Sequence, residues 1–200
     1  MNSPFPSFYR NTISNGNLDD EDMSDISDWE DIDYQGGISS QVTFDGKSCM
    51  KLDTSEPESN ILRWSKREKN IGNYSSITVF SFNIYLHNIG VWSSECLRFY
   101  TANNVNTLRI DFASDGLYIR NFLIDASIIV QDTWQEWTFI VDWTEKTVDV
   151  YLDKVLKYSN INFQGLTGGV NGLIDFQQFA WLKTQKITYI DWLKVGNGMI

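Results

Sequence analysis

One segment of this 200-residue chain, residues 134–158, constrains its fold most strongly. It reads WQEWTFIVDWTEKTVDVYLDKVLKY, and large apolar side chains occupy the alternate positions 137, 139, 141 and 143. A period of two residues is typical of a strand with one buried face. The polar break at 144–147 and the Asp153-Lys154 turn are too short to contain a helix. The segment therefore predicts three consecutive antiparallel strands.

The rest of the chain continues this pattern of short alternating runs separated by turn residues, with no repeat and no convincing helix longer than a turn or two. Further strands are predicted at 40–44, 48–52, 61–64, 77–86, 97–100, 107–112, 117–123, 127–130, 173–182 and 187–195. Residues 66–70, KREKN, are predicted to form a solvated loop. About a dozen short strands at this spacing predict an all-β fold, a two-sheet antiparallel β-sandwich.

Charge is unevenly distributed. The formal net charge is −10, but residues 18–33 hold nine acids and no base, and the remainder is nearly neutral. Because a nucleic-acid binder needs a basic surface, contact with DNA or RNA is not expected. No run of about 18 apolar residues is present to span a membrane.

The N-terminal residues differ from the rest. Residues 1–17 contain two prolines and three aromatic side chains, and are predicted to form an extended arm that docks either on its own domain or on a neighbouring subunit. Residues 18–200 are predicted to form a single sandwich domain. The chain as given starts with no signal peptide pattern, so the protein is expected to be intracellular or part of a virion, or to have lost its leader.

The cysteine and histidine content limits the chemistry. Cys49 and Cys96 are the only cysteines and His87 the only histidine. Two small buried thiols are favoured, and a single disulfide stays open for an extracellular protein. Without a Cys/His cluster, a zinc site and a Ser-His-Asp or Cys-His enzyme are not expected.

A hairpin at Asp115-Gly116 supplies the candidate binding site. If the turn contains two residues, the hairpin pairs Asp111 with Arg120 and Phe112 with Ile119. One face is then apolar, and the other carries charged and aromatic groups. Those groups, with two from a neighbouring strand, are Arg98, Tyr100, Arg109, Asp111, Tyr118 and Arg120. Rings stack on sugar C–H edges and charged groups bind hydroxyls, which predicts carbohydrate binding; a solvated face with an ion pair is the alternative.

In the central hairpin, pairing the strands across the polar break in the same way places Asp142 opposite Asp149. Like charges directly opposite one another are destabilising. A neighbouring Arg or Lys or a bound cation would relieve them, and a one-residue slip of the register is the simplest explanation.

The acidic segment has two interpretations. Residues 18–33 form either a solvated, mobile lead-in to the domain or a calcium site, because clustered carboxylates supply the oxygen ligands that calcium prefers. The spacing does not match the helix–loop–helix calcium pattern, so any site would be assembled from distant parts of the fold.

Five stretches carry a resemblance to a known superfamily: DDEDMSDISDWE (19–30), FSFNIYL (80–86), LRIDFASDGLYIR (108–120), WQEWTFIVDWTEKTVDVYLDKVL (134–156) and YIDWLKVGN (189–197). They resemble the concanavalin A-like lectin/glucanase jelly rolls, particularly the laminin-G-like modules. The resemblance implies a jelly roll, a fold that hosts lectins, glycan-cleaving enzymes, adhesion modules and viral surface proteins. It also implies a structural Ca²⁺ held by Asp19 and Asp22 together with Asp191.

The enzymes of this superfamily have motifs that the chain lacks. The glucanases need a strand with Glu-x-Asp-x-x-Glu, whose carboxyls lie about 5–5.5 Å apart. The nearest string, residues 29–33, lacks the second glutamate. The alginate lyases need a Gln-x-His pair, whereas His87 is followed by Asn88. Catalysis is not expected.

The first functional hypothesis is a non-catalytic, lectin-like recognition module, extracellular or on a virion surface, with a glycan as its partner. The alternative is a structural component of a virus or phage particle, such as a capsid-decoration or tail-associated protein, which docks a neighbouring protein subunit through residues 1–17. A polysaccharide-cleaving enzyme is the third hypothesis.

Overall fold

The computed structural model describes residues 17–54, 62–91, 96–103, 106–164, 172–180 and 186–197, with the backbone alone for 17–21. Its fifteen strands are β1 (Asn17–Glu21), β2 (Glu30–Asp31), β3 (Ile38–Phe44), β4 (Lys47–Asp53), β5 (Arg63–Asn70), β6 (Ile77–His87), β7 (Leu97–Ala102), β8 (Thr107–Ala113), β9 (Gly116–Ile119), β10 (Phe122–Asp125), β11 (Trp134–Asp142), β12 (Thr147–Leu152), β13 (Val155–Asn162), β14 (Leu173–Ala180) and β15 (Ile187–Asn197). These ranges contain no helix. Nothing in the described part of the chain is therefore a helix long and apolar enough to cross a membrane.

The strands form two antiparallel sheets. Sheet A has the order β13-β12-β11-β6-β15-β4-β3, and β1 pairs with the last part of β15. Sheet B has the order β10-β9-β8-β7-β14-β5-β2. The predicted three consecutive strands are β11, β12 and β13, which pair in sequence order. The predicted all-β, two-sheet antiparallel sandwich is confirmed.

Aromatic side chains join the two sheets in the core. Phe82 of sheet A is fully buried, and its ring centroid lies 4.9 Å from that of Phe99 and 5.1 Å from that of Phe176, both in sheet B. Phe112 lies 6.1 Å away across the same interface. The alternation seen in the sequence places these rings on the inner faces of their strands.

Residues 66–70 were predicted as a loop, and this prediction is wrong. They are the second half of β5, paired with β14 along its whole length. Lys66 forms ion pairs with Glu68 on its own strand and with Asp175 on β14, at 2.7 and 3.0 Å. Charged residues have low strand propensity, but pairs along a sheet face compensate for it.

The predicted strand at 117–123 is two strands. Arg120 and Asn121 form a turn with φ values of 50° and 80°, and Ile119 pairs with Phe122 across it. Positive φ at both central residues is the geometry of a tight type I′ hairpin. Arg120 therefore lies in the turn that follows β9 and not within a strand.

The predicted strand at 127–130 is also wrong. Gln135 is buried, and its side chain donates to the carbonyl of Ile128 and accepts from the N–H of Val130. The side-chain amide of Gln135 thus makes the hydrogen bonds to this backbone that a neighbouring strand would otherwise make. The segment can therefore stay irregular without leaving these backbone groups unpaired.

Both hairpin registers predicted from the sequence need correction. The turn residues of the first hairpin are Ser114 and Asp115, so Asp111 pairs with Tyr118 instead of Arg120. In the central hairpin Asp142 pairs with Thr147, and Asp149 pairs with Ile140. The like-charge pair therefore does not exist. A slip of the register is the explanation, but the partner of Asp142 is shifted by two residues and not by the predicted one.

The two cysteines are buried and unbonded. Cys49 lies in β4 of sheet A, and Cys96 precedes β7 of sheet B. Burial raises the pKa of Cys49 to about 11 and that of Cys96 to about 12. Both thiols therefore act as small apolar side chains at neutral pH, and the disulfide alternative is wrong.

Candidate functional site

A pocket of about 540 Å³ opens on the outer face of sheet B. Side chains from β5, β7, β8 and β14 form its floor, and the turn between β9 and β10 forms one wall. Its lining residues are Lys66, Arg98, Tyr100, Arg109, Arg120, Asn121, Leu173, Asp175 and Gln177.

Antiparallel pairing brings these side chains together in two neighbouring rows. One row crosses the sheet from Lys66 through Gln177 and Arg98 to Asp111. The next row runs from Asp175 through Tyr100 to Arg109. Because directly opposite residues in antiparallel strands point to the same face, both rows lie on the outer face.

Asp111 fixes the arginines of this floor. Its side chain is fully buried, and Arg98 Nε donates to Oδ1 at 2.9 Å. Arg109 Nε lies 3.0 Å from Oδ2, close enough for an ion pair but too bent for a hydrogen bond. Arg98 is also stacked over the ring of Phe179 at 4.3 Å. A buried carboxylate shared by two arginines is a rigid element of the site.

Hydrogen bonds hold the turn that forms the wall of the pocket. Arg109 Nη2 donates to the side-chain oxygen of Asn121, and the N–H of Arg120 donates to the carbonyl of Arg109 at 3.0 Å. Arg120 Nη1 donates to the carbonyls of Phe163, at 3.0 Å, and Gln164. The turn is thereby tied both to β8 and to the chain that follows β13.

The structure brings four of the six predicted carbohydrate-binding residues into the pocket: Arg98, Tyr100, Arg109 and Arg120. Asp111 lies beneath them. Tyr118 lies on the same face but does not line the pocket, and its hydroxyl donates to Asp115 at 2.9 Å.

Asp175 is the most important residue that the sequence did not reveal. It is only 6% exposed, and its Oδ2 forms an ion pair with Nζ of Lys66 at 3.0 Å. Its Oδ1 is buried with no hydrogen-bond partner. Burial raises the pKa of Asp175 to about 6, although Lys66 opposes this shift. A polar residue between the apolar Ile174 and Phe176 is the signal that could have placed it on this face.

Replacing Asp175 with asparagine should remove a pH-dependent loss of stability. Between pH 4 and pH 6 the folded state holds this proton more tightly than the unfolded state, so the stability of the native protein falls as pH rises through this window. We expect the free energy of unfolding of Asp175→Asn, relative to the native protein, to rise by about 2–3 kcal/mol between pH 4 and pH 8. Urea unfolding of both proteins at the two pH values measures this; a difference that does not change with pH would contradict it.

The structure describes the side chains of two of the three predicted calcium ligands, Asp22 and Asp191. The backbone of β1 pairs with β15, so the acidic segment does approach the last strand, but the side chain of Asp19 lies outside the described residues. Asp22 is exposed and accepts from the N–H of Ser24 at 2.9 Å. Asp191 Oδ2 accepts from Lys47 Nζ at 2.7 Å and from Asn83 at 3.1 Å.

Lys47 therefore supplies at Asp191 the positive charge that Ca²⁺ would supply, so Asp22 and Asp191 alone do not fit a calcium site. The described residues include no group of three or more His, Cys, Asp or Glu that could hold a metal ion. Calcium binding stays a prediction.

The outer face of sheet A carries a cluster of half-buried aromatic residues. Phe44 stacks on Tyr189 with ring centroids 3.8 Å apart and contacts Tyr85 edge-on at 4.9 Å. The indole N–H of Trp134 donates to Asp45, and Lys47 lies over the Trp134 ring at 4.4 Å. The rings pack on one another, and this indole N–H already has a partner within the cluster. This aromatic cluster is therefore a weaker candidate for a polar ligand than the pocket on sheet B.

No family model matches the chain, and neither does any curated protein. Solved structures match most of the chain. A protein described as "Cellulose induced protein, Cip1" matches with a TM-score of 0.63 at 14% identity, over 91% of this chain and 98% of that protein. The seed lectin of Lotus tetragonolobus matches with a TM-score of 0.57 at 13% identity, over 86% of this chain and 94% of the lectin.

A sialidase matches with a TM-score of 0.59 at 13% identity, over 91% of this chain. The chain spans only 18% of the length of that sialidase. At such low identities the similarity reports the fold. The two antiparallel sheets, together with the match to a seed lectin, show that the chain has the concanavalin A-like jelly-roll fold.

Proposed function

We propose that this chain is a non-catalytic carbohydrate-binding module that holds its glycan in the pocket on sheet B. The observation that carries the proposal is the buried, unpartnered oxygen of Asp175 at the pocket. A buried acceptor without a partner costs free energy. A small rotation of the Asp175 side chain would let a sugar hydroxyl donate to this oxygen, and sugars carry several such groups.

The other groups at the pocket complete a site for a sugar. Arg98 and Arg109 donate hydrogen bonds and are held in place by Asp111. Gln177 can both donate and accept. Tyr100 and Leu173 supply apolar surface, and a tyrosine ring on a sheet face is suited to stacking on the C–H face of a pyranose. The volume of about 540 Å³ lies in the usual range of small-molecule sites.

The similar structures support this proposal. One is a seed lectin, and another is a sialidase of which this chain spans a small part. A sandwich of this kind is thus found both as a lectin and within a larger carbohydrate-active protein. We place the binding outside the cell or on a virion surface, where glycans are accessible.

The absence of catalysis is part of the proposal. Hydrolysis by the retaining mechanism needs two carboxyl groups free to act as nucleophile and acid. At this pocket Asp111 is paired with two arginines, and Asp175 and Glu68 share Lys66. Each carboxylate that the structure describes at this pocket is therefore held in an ion pair, which fits a binding role better than the role of nucleophile.

The role in a virus or phage particle is not part of this proposal. It depends on the arm at residues 1–17, and residues 1–16 lie outside the described part of the chain. Deletion of residues 2–17 would test it, since an assembly role requires that the deletion convert an oligomer into a monomer.

A glycan array tests the proposed function. The purified protein is screened with calcium and again with excess chelator, beside Tyr100→Ala and the control Tyr118→Phe. We expect hits that Tyr100→Ala loses and Tyr118→Phe keeps, because only Tyr100 lines the pocket. Loss of the hits with chelator would support a calcium ion as well. A blank array for the native protein in both conditions would overturn the carbohydrate-binding proposal.

A further inference from the structure

We infer that the ligand is an acidic glycan whose carboxylate is held by Arg109 and Arg120; this inference rests on the proposed function. Four basic residues line the pocket, whereas Asp175 is its one acidic lining residue. With Asp111 beneath and Glu68 beside Lys66, the described site still has one more base than acid. This surplus is local, since the whole chain has a formal net charge of −10.

Arg120 is the cation that accounts for the surplus. Arg98 and Arg109 share Asp111, and Lys66 lies between two carboxylates. The partners of Arg120 that the structure shows are neutral: the carbonyls of Phe163 and Gln164. Main-chain carbonyls orient a guanidinium without neutralising its charge. A half-buried arginine in such a setting favours an anion, and a carboxylate matches its geometry.

The backbone at Arg120 decides which replacement can test this inference. Its φ of 50° places it in the left-handed region, where Gly and Asn are the favoured turn residues. An arginine is tolerated there at some conformational cost. Asparagine is therefore the replacement that removes the charge of Arg120 and keeps the turn.

The arrangement of the floor suggests how an acidic sugar would lie. Asp175, Tyr100 and Arg109 occupy one row across three adjacent strands, so Tyr100 is between the other two. Strands in a sheet are roughly 4.8 Å apart. A ring resting on Tyr100 can present a hydroxyl to the carboxyl group of Asp175 and a carboxylate to Arg109 and Arg120.

Calorimetry with matched acidic and neutral sugars tests the inference on the full chain. One pair is trigalacturonate and its methyl ester, and the other is 3′-sialyllactose and lactose. We expect the native protein to bind the acidic member of at least one pair about tenfold more tightly at low salt. The preference should shrink at high salt, because the added ions screen it. The two pairs distinguish a uronic acid from a sialic acid.

Variants with matched charge changes locate the effect. Arg120→Asn keeps a residue that accepts positive φ and should reduce the affinity for the acidic member to that of the neutral one. Lys154→Asn is the control, because Lys154 also has positive φ, at 66°, but is an exposed base in the β12–β13 turn and does not line the pocket. It should leave both affinities unchanged.

Equal affinities within both pairs, or array hits confined to neutral glycans, would overturn the acidic ligand and leave the proposed function intact. An acid preference that Lys154→Asn removes as fully as Arg120→Asn would overturn the assignment to Arg120. No binding in either pair together with a blank array would overturn both proposals.

Discussion

Replacing Phe82 with alanine is expected to lower the free energy of unfolding by about 3–5 kcal/mol. The ring of Phe82 is fully buried, and it contacts Phe99, Phe112 and Phe176 from the opposite sheet as well as Phe139 from its own. Removing it leaves a cavity between the sheets that neighbouring rings cannot fill without moving both sheets. Urea unfolding at neutral pH measures the loss.

Phe122→Ala is the matched control for this change. Phe122 is 69% exposed in β10, so the same substitution there should change the stability by no more than about 0.5 kcal/mol. If Phe82→Ala cost as little as the control, the packing of the two sheets described here would be wrong.

Replacing Asp111 with asparagine is expected to destabilise the fold by about 3–5 kcal/mol, because it leaves two partly buried arginines without their shared carboxylate. Arg98 and Arg109 would then repel one another beneath the pocket. The same variant should weaken glycan binding, since Asp111 positions both guanidinium groups without lining the pocket itself. Chemical unfolding and binding to the glycans found in the array measure the two effects.

Asp31→Asn provides the comparison. Asp31 also pairs with an arginine of sheet B, Arg67, but its side chain is 48% exposed. Exposed ion pairs contribute about 0–1 kcal/mol, so this variant should be close to the native protein. An Asp111→Asn variant as stable as Asp31→Asn would show that the shared carboxylate does not hold the floor of the pocket.

Much of the fold follows from residue alternation. In β8 the positions of Leu108, Ile110 and Phe112 fix the core face, and Arg109 and Asp111 must then lie outside. The register predicted for the hairpin was wrong, yet the outer face was right. The true partner of Asp111 is Tyr118 and the predicted partner was Arg120, and a shift of two residues keeps every side chain on its face.

Local sequence could not reveal contacts made by distant strands. The charged run at 66–70 has the composition of a loop, and it forms a strand because β14 provides partners along its length. Asp175 belongs to the pocket for the same reason: β14 inserts between β5 and β7, which are separated from it by many residues. The unpartnered oxygen of Asp175 is a property of that packing and has no signature in the sequence.

Amide chemical-shift mapping of the ¹⁵N-labelled protein tests the central claim most directly, with the oligosaccharide that binds most strongly in the array as the probe. We expect the largest shifts on the outer face of sheet B, at Lys66, Arg98, Tyr100, Arg109 and Asp175. Shifts concentrated instead at the aromatic cluster of sheet A, around Phe44, Trp134 and Tyr189, would contradict it.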